Sequence, residues 1–141
     1  MKNLLPALLL LPMLSLCLPE NRQILQISNL DKVKGRLYIG WYKTADDFRK
    51  SDKAVLQKIV EVEGKETVEV IFEHVPPGTY AVAIFLDKNG NGKIDTNMLG
   101  IPREKYGFSN NKYPLTRAAT FEESAFTVGE SGQTISIRLK G

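Results

Sequence analysis

The stretch Asp87-Lys88-Asn89-Gly90-Asn91-Gly92-Lys93-Ile94-Asp95 sets oxygen-bearing side chains at alternate positions. A calcium loop takes ligands from its first, third, fifth, seventh, ninth and twelfth places, with Gly sixth for the sharp turn. Counted from Asp87, those places fall on Asp87, Asn89, Asn91, the carbonyl of Lys93, Asp95 and Met98, with Gly92 sixth. The twelfth place therefore lacks its bidentate acid, and the residues before the loop read as a strand rather than a helix. The pattern predicts a calcium-loop fragment on a β scaffold. Asp87 and Asp95 are the only local carboxylates, and Lys88 and Lys93 stand beside them. Affinity should be weak, about 10⁻⁴–10⁻³ M as in extracellular modules. Glu104, or Glu122 and Glu123, would be the nearest source of a third acid. The competing reading is a plain reversal of the chain, since Asn-Gly pairs are strong turn formers.

A second group with binding chemistry follows. Tyr106, Phe108 and Tyr113, with Asn110 and Asn111, are the types that hold a sugar, rings stacking on CH faces and amides bonding hydroxyls. The same rings would also serve to pin a loop onto a sheet. Catalytic constellations are scarce. With one His, His74, and one Cys, Cys17, there is no Cys-His or Ser-His-Asp arrangement to propose. Glu122 and Glu123 are sequence neighbours and would point to opposite sides of a strand, a poor acid/base pair. The expectation is a non-enzymatic module with a protein or glycan partner, and calcium as its one candidate cofactor.

The elements that must position these residues are strands. Ile24–Ile27, Lys34–Tyr42, Thr67–Glu73, Tyr80–Asp87, Ala125–Val128 and Thr134–Leu139 carry β-branched, aromatic or alternating apolar residues, and Ala54–Val62 tips to strand at its β-branched end. About seven strands with little helix predict an all-β fold, a single antiparallel β-sandwich of immunoglobulin-like type. Thr44 to Phe48 suits one helical turn with Thr44 as cap, and Pro77-Gly78 suits the centre of a type II turn. In Tyr80–Asp87 both faces are apolar: Tyr80, Val82, Ile84 and Leu86 on one, Ala81, Ala83 and Phe85 on the other. A sandwich strand normally wets its outer face, so something must cover the second one. The long segment from Lys88 to Thr120 is the available material. Met98, Leu99, Ile101, Tyr106, Phe108 and Tyr113 are its expected contacts.

The 141 residues have room for one domain, assigned to 24–141 after a linker at 18–23. Residues 1–17 have the layout of a secretory signal: Lys2, an apolar run from Leu4 to Leu16, then Cys17 and polar residues. Two outcomes are open at its end. Cys17, the single cysteine, could be acylated as in a lipoprotein and hold the protein to a membrane, or cleavage could follow Cys17. Either gives an exported protein, periplasmic or extracellular, free or anchored to the envelope, whose mature part has no disulfide. The formal net charge of +3 falls to about +2 without Lys2, and the charges alternate in sign, which excludes nucleic acid as an expected partner.

Three stretches go further: PPGTYAVA at Pro76–Ala83, the D-x-N-G-N-G-x-x-D pattern at Asp87–Asp95, and YGFSNN at Tyr106–Asn111. With TFEESAFTVG downstream, the chain from about Lys34 to Leu139 closely resembles the domain of unknown function 2141 family of exported bacterial proteins. The resemblance implies a small extracytoplasmic β-sandwich of the prealbumin or carboxypeptidase-regulatory type, and it brings no established activity.

Overall fold

The computed structural model describes residues 21–141. The expected signal at 1–17, with Cys17 and the expected processing point, lies outside the described residues. Among the described residues there are eight strands: β1 (Arg22–Ser28), β2 (Gly35–Tyr42), β3 (Leu56–Val62), β4 (Thr67–Glu73), β5 (Gly78–Asp87), β6 (Tyr106–Phe108), β7 (Phe126–Val128) and β8 (Gln133–Arg138). The one α-helix among the described residues, α1 (Phe121–Ser124), is a single turn. No described helix is long and apolar enough to cross a membrane.

The strands form two sheets, one ordered β4-β1-β8 and the other β3-β2-β5-β6, with β7 pairing the first residues of β5. The all-β, two-sheet sandwich is as the strand pattern predicts, with one strand more than expected. That strand, β6, is only three residues long and lies in the segment expected to be loop. The pairing also departs from a purely antiparallel sandwich, because β1 and β8 run parallel, with Gln23 opposite Gln133 and Ile27 opposite Ile137. The two are separated by most of the chain, so no tight turn constrains their relative direction.

Alternation explains the core. Leu37, Ile39 and Trp41 of β2, Tyr80, Val82, Ile84 and Leu86 of β5, Leu25 and Ile27 of β1, and Val70 and Phe72 of β4 meet between the sheets, all buried. Trp41 is their hub, with ring centroids of Phe72, Phe126 and Tyr80 at 5.2, 5.4 and 5.6 Å. Large apolar side chains buried in this way supply most of the driving force for folding.

The outer face of β5 is covered, as its second apolar face requires. Ala81 and Tyr42 lie under Phe48, Phe108 and Ala119, with Tyr106, Tyr113 and Phe121 partly buried around them. The cover has sources besides the long segment. Phe48 comes from the helical turn after β2, where Thr44 Oγ1 accepts the Asp47 N–H at 3.2 Å, and Phe121 comes from α1. Farther along β5, Phe85 stacks on Tyr38 with centroids 4.8 Å apart.

Three expected contacts are corrected. Met98, Leu99 and Ile101 do not touch the sheet; they are 101 %, 83 % and 55 % exposed. The reason is a local hairpin that turns this stretch away from the sheet before β6 begins. The Pro77-Gly78 turn is also corrected: Gly78 is already in β5, opposite Val128, with φ 158° rather than the roughly +80° of a type II turn, and in the preceding connection His74 has φ 55°.

Candidate functional site

β5 delivers Asp87 to the end of the sandwich with only 1 % of its surface exposed. A carboxylate buried there needs donors, and the loop supplies them. Asp87 Oδ1 accepts the Gly90 N–H at 3.0 Å and Oδ2 accepts the Gly92 N–H at 2.8 Å. Both glycines have positive φ, 77° and 73°, a conformation that costs Gly least. The asparagines repeat the device at shorter range: Asn89 Oδ1 accepts the Asn91 N–H at 3.2 Å, and Asn91 Oδ1 accepts the Lys93 N–H at 3.0 Å. The backbone thus curls around its own side chains.

The ends of those side chains meet. Asn89 Nδ2 donates to Asp95 Oδ2, and Asn91 Nδ2 donates to Asp95 Oδ1 at 2.7 Å. The third, fifth and ninth places of the loop therefore converge, while Lys93, at the seventh, is exposed. Met98, at the twelfth, points away into solvent and offers no ligand. No group of three or more His, Cys, Asp or Glu side chains among the described residues is arranged to hold a metal. A cation here would rely on amide and backbone oxygens beside the two carboxylates, a donor set that suits a hard ion such as calcium.

Glu104 has a part that spacing alone did not reveal. Only 4 % exposed, it accepts the Lys88 N–H on Oε1 at 3.0 Å and the Asp95 N–H on Oε2 at 3.3 Å. One carboxylate thereby ties the first turn of the loop to its last ligand position. Its spacing from Asp95 marked it only as a candidate third acid; its role here is to hold the backbone. Glu122 and Glu123 lie elsewhere, on α1. Glu123 is bound by Arg117, whose hydrogen bonds, with that of the Thr120 backbone, hold its carboxyl at about 2, below the usual carboxylate range.

Past Asp95 the chain forms a small hairpin. The Asn97 N–H donates to the Ile101 carbonyl at 2.8 Å and the Arg103 N–H to the Asp95 carbonyl at 2.7 Å. Met98, Leu99 and Gly100 form its loop, with Gly100 at φ 75°, the three-residue geometry that ends in a left-handed Gly. The signal for it was present as Asn-Met-Leu-Gly, but turn chemistry was masked by the two apolar residues.

The aromatic group assembles as a unit. Tyr106, Phe108 and Tyr113 have centroids 5.7 to 6.4 Å apart. Phe108 is buried, and burial pushes the Tyr113 hydroxyl above its ordinary pKa. The amides beside them are engaged by backbone. Asn110 Nδ2 donates to the carbonyls of Glu123 and Ala125 at 3.1 and 2.8 Å, and Asn111 Nδ2 donates to that of Ser136 at 3.0 Å while its Oδ1 accepts the Arg138 N–H at 2.8 Å. Tyr113 Oη donates to the Arg138 carbonyl. The group fastens the segment after β6 to α1 and β8.

Comparison with known proteins adds a single positive finding. No curated protein and no solved structure matches the chain. A family model described as "Uncharacterized protein conserved in bacteria (DUF2141)" matches residues 25–136, which span β1 to β8, and the chain belongs to that family.

Proposed function

We propose that this protein is a non-enzymatic exported β-sandwich module whose Asp87–Asp95 loop takes up calcium weakly and organises an interaction surface at one end of the sandwich. The observation that carries the reading is the meeting of Asn89 and Asn91 with Asp95 in the loop whose Gly90 and Gly92 N–H groups the buried Asp87 gathers. These residues hold alternating sequence places of a calcium loop, with the Asn oxygens on backbone N–H groups and the amide nitrogens on Asp95, and Glu104 fixes the backbone around them. An Asn side-chain oxygen has two lone pairs, so accepting a backbone N–H leaves it able to face a cation. Two carboxylates, with Lys88 and Lys93 close in sequence, support affinity of about 10⁻⁴–10⁻³ M.

The test is a calcium titration by calorimetry with thermal melts in calcium and in chelator. Saturable heat and a raised melting temperature are expected, both lost in an Asn89→Ala, Asp95→Ala double variant, which leaves the buried Asp87 and Glu104 intact. Absence of heat, with melts unchanged up to millimolar calcium, would reduce the loop to a turn. The alternative, a glycan site on Tyr106, Phe108, Asn110, Asn111 and Tyr113, draws less support because both amides already bond backbone. Glycan binding abolished by Tyr106→Ala with the fold intact would restore it.

A further inference from the structure

The segment from Asp87 to Lys105 sorts its charges by depth. Asp87 and Glu104 are buried, and Asp95 is half-buried and holds two amides. Lys105 is buried against Asp31, Nζ to Oδ2 at 2.6 Å. The exposed charges that remain are Lys88, Lys93 and Arg103, all positive. Beyond this collar stands the hairpin tip with Met98 fully exposed and Leu99 and Ile101 largely so.

The tip is built without those side chains. Asn97 Oδ1 accepts the N–H groups of Leu99 and Ile101 at 2.9 and 3.0 Å, the Gly100 N–H donates to the Asn97 carbonyl at 3.0 Å, and the Asn97 N–H to the Ile101 carbonyl at 2.8 Å. Polar residues would serve such a turn as well, so large apolar groups at full exposure point to a surface they meet elsewhere.

We infer that the Met98–Ile101 tip docks on a lipid surface: Met98, Leu99 and Ile101 enter the bilayer interface, and Lys88, Lys93 and Arg103 face anionic headgroups. Two observations favour lipid over a protein groove. The N–H groups of Asn97, Leu99, Gly100 and Ile101 are all satisfied internally, so the tip can leave water without stranding these backbone donors. Within the segment that carries the tip the exposed charges, Lys88, Lys93 and Arg103, are all positive, matching an anionic leaflet, whereas a protein interface usually has a polar rim of mixed hydrogen-bonding groups over a larger area. The inference does not rest on calcium uptake by the loop.

The test is co-sedimentation in chelator, using residues 21–141, which contain every described strand and both hydrophobic clusters, each sample first shown to melt cooperatively. Vesicles of phosphatidylcholine with about a third phosphatidylglycerol are compared with phosphatidylcholine alone. Binding to the anionic vesicles is expected, at least about ten-fold weaker for Met98→Ser, Leu99→Ser and also reduced by Lys93→Gln, Arg103→Gln or by raised salt. Failure of the unaltered protein to sediment with anionic vesicles, or equal sedimentation of Met98→Ser, Leu99→Ser, would overturn it and leave a protein partner as the occupant.

Discussion

Glu104 accepts the Lys88 N–H at 3.0 Å across sixteen residues of chain, and so closes the loop that leaves β5. With its other oxygen on the Asp95 N–H, this buried carboxylate fixes both ends of the candidate cation loop. Glu104→Ala should cost about 1–3 kcal/mol, because it strands two N–H groups. Urea unfolding would measure the loss, and faster hydrogen exchange at Lys88 and Asp95 would localise it. Unchanged exchange at both amides would remove Glu104 from this role.

Arg117 and Glu123 form a bidentate pair, at 2.8 and 2.7 Å, and Glu123 completes a capping box with Thr120 at the start of α1. The Glu123 carboxyl is held at about 2 against an ordinary value of 4.5. Because the folded value is the lower one, the contribution to stability is present above 4.5 and fades as pH falls towards about 2. The stability gap between the protein and its Arg117→Ala variant should therefore shrink through that window, and should also shrink with salt, since the pair is open to solvent. A gap independent of pH would show that the pair contributes through packing.

Ser109 is fully buried. Its Oγ accepts the Val82 N–H at 2.8 Å in the middle of β5, and donates to the Ser124 carbonyl of α1. Ser109→Ala leaves the Val82 N–H without that partner, at a cost of about 1–3 kcal/mol in denaturant unfolding. Ser109→Thr, which keeps the hydroxyl, separates this hydrogen-bond effect from crowding.

Gly107 marks where β6 presses on the far sheet. A Cβ there would stand 2.8 Å from Leu139 Cδ2 and 2.9 Å from Ile137 Cγ2. Gly107→Ala should force these side chains apart and cost about 1–3 kcal/mol, read as a lowered melting temperature. Adding Leu139→Val should recover part of the loss if overpacking is its cause.

What was legible in the chain followed from period. The alternation in Thr67–Glu73 placed Val68, Val70 and Phe72 inward, and the two apolar faces of Tyr80–Asp87 required a cover that the structure provides. The identity of that cover was less legible. Met98, Leu99 and Ile101 are as apolar as Tyr106 and Phe108, and only the internal hydrogen bonds of Asn97 turn the first three away. Phe48 and Phe121 were missed as cover because each enters from its own short turn, with no periodic neighbours to announce it. At the candidate site, spacing placed Asp87, Asn89, Asn91 and Asp95 in one loop, but could not show that Glu104 binds that loop through backbone, a relationship that depends on the chain returning along β6.

The parallel pairing of β1 with β8 has a consequence in time. β1 is the central strand of its sheet, and one of its two neighbours comes from the far end of the described sequence. A chain emerging amino end first holds this strand with one edge unmatched until nearly all the rest has followed. Such high contact order slows folding relative to folds built from local contacts, and the sheet cannot close on both sides of β1 until β8 is available.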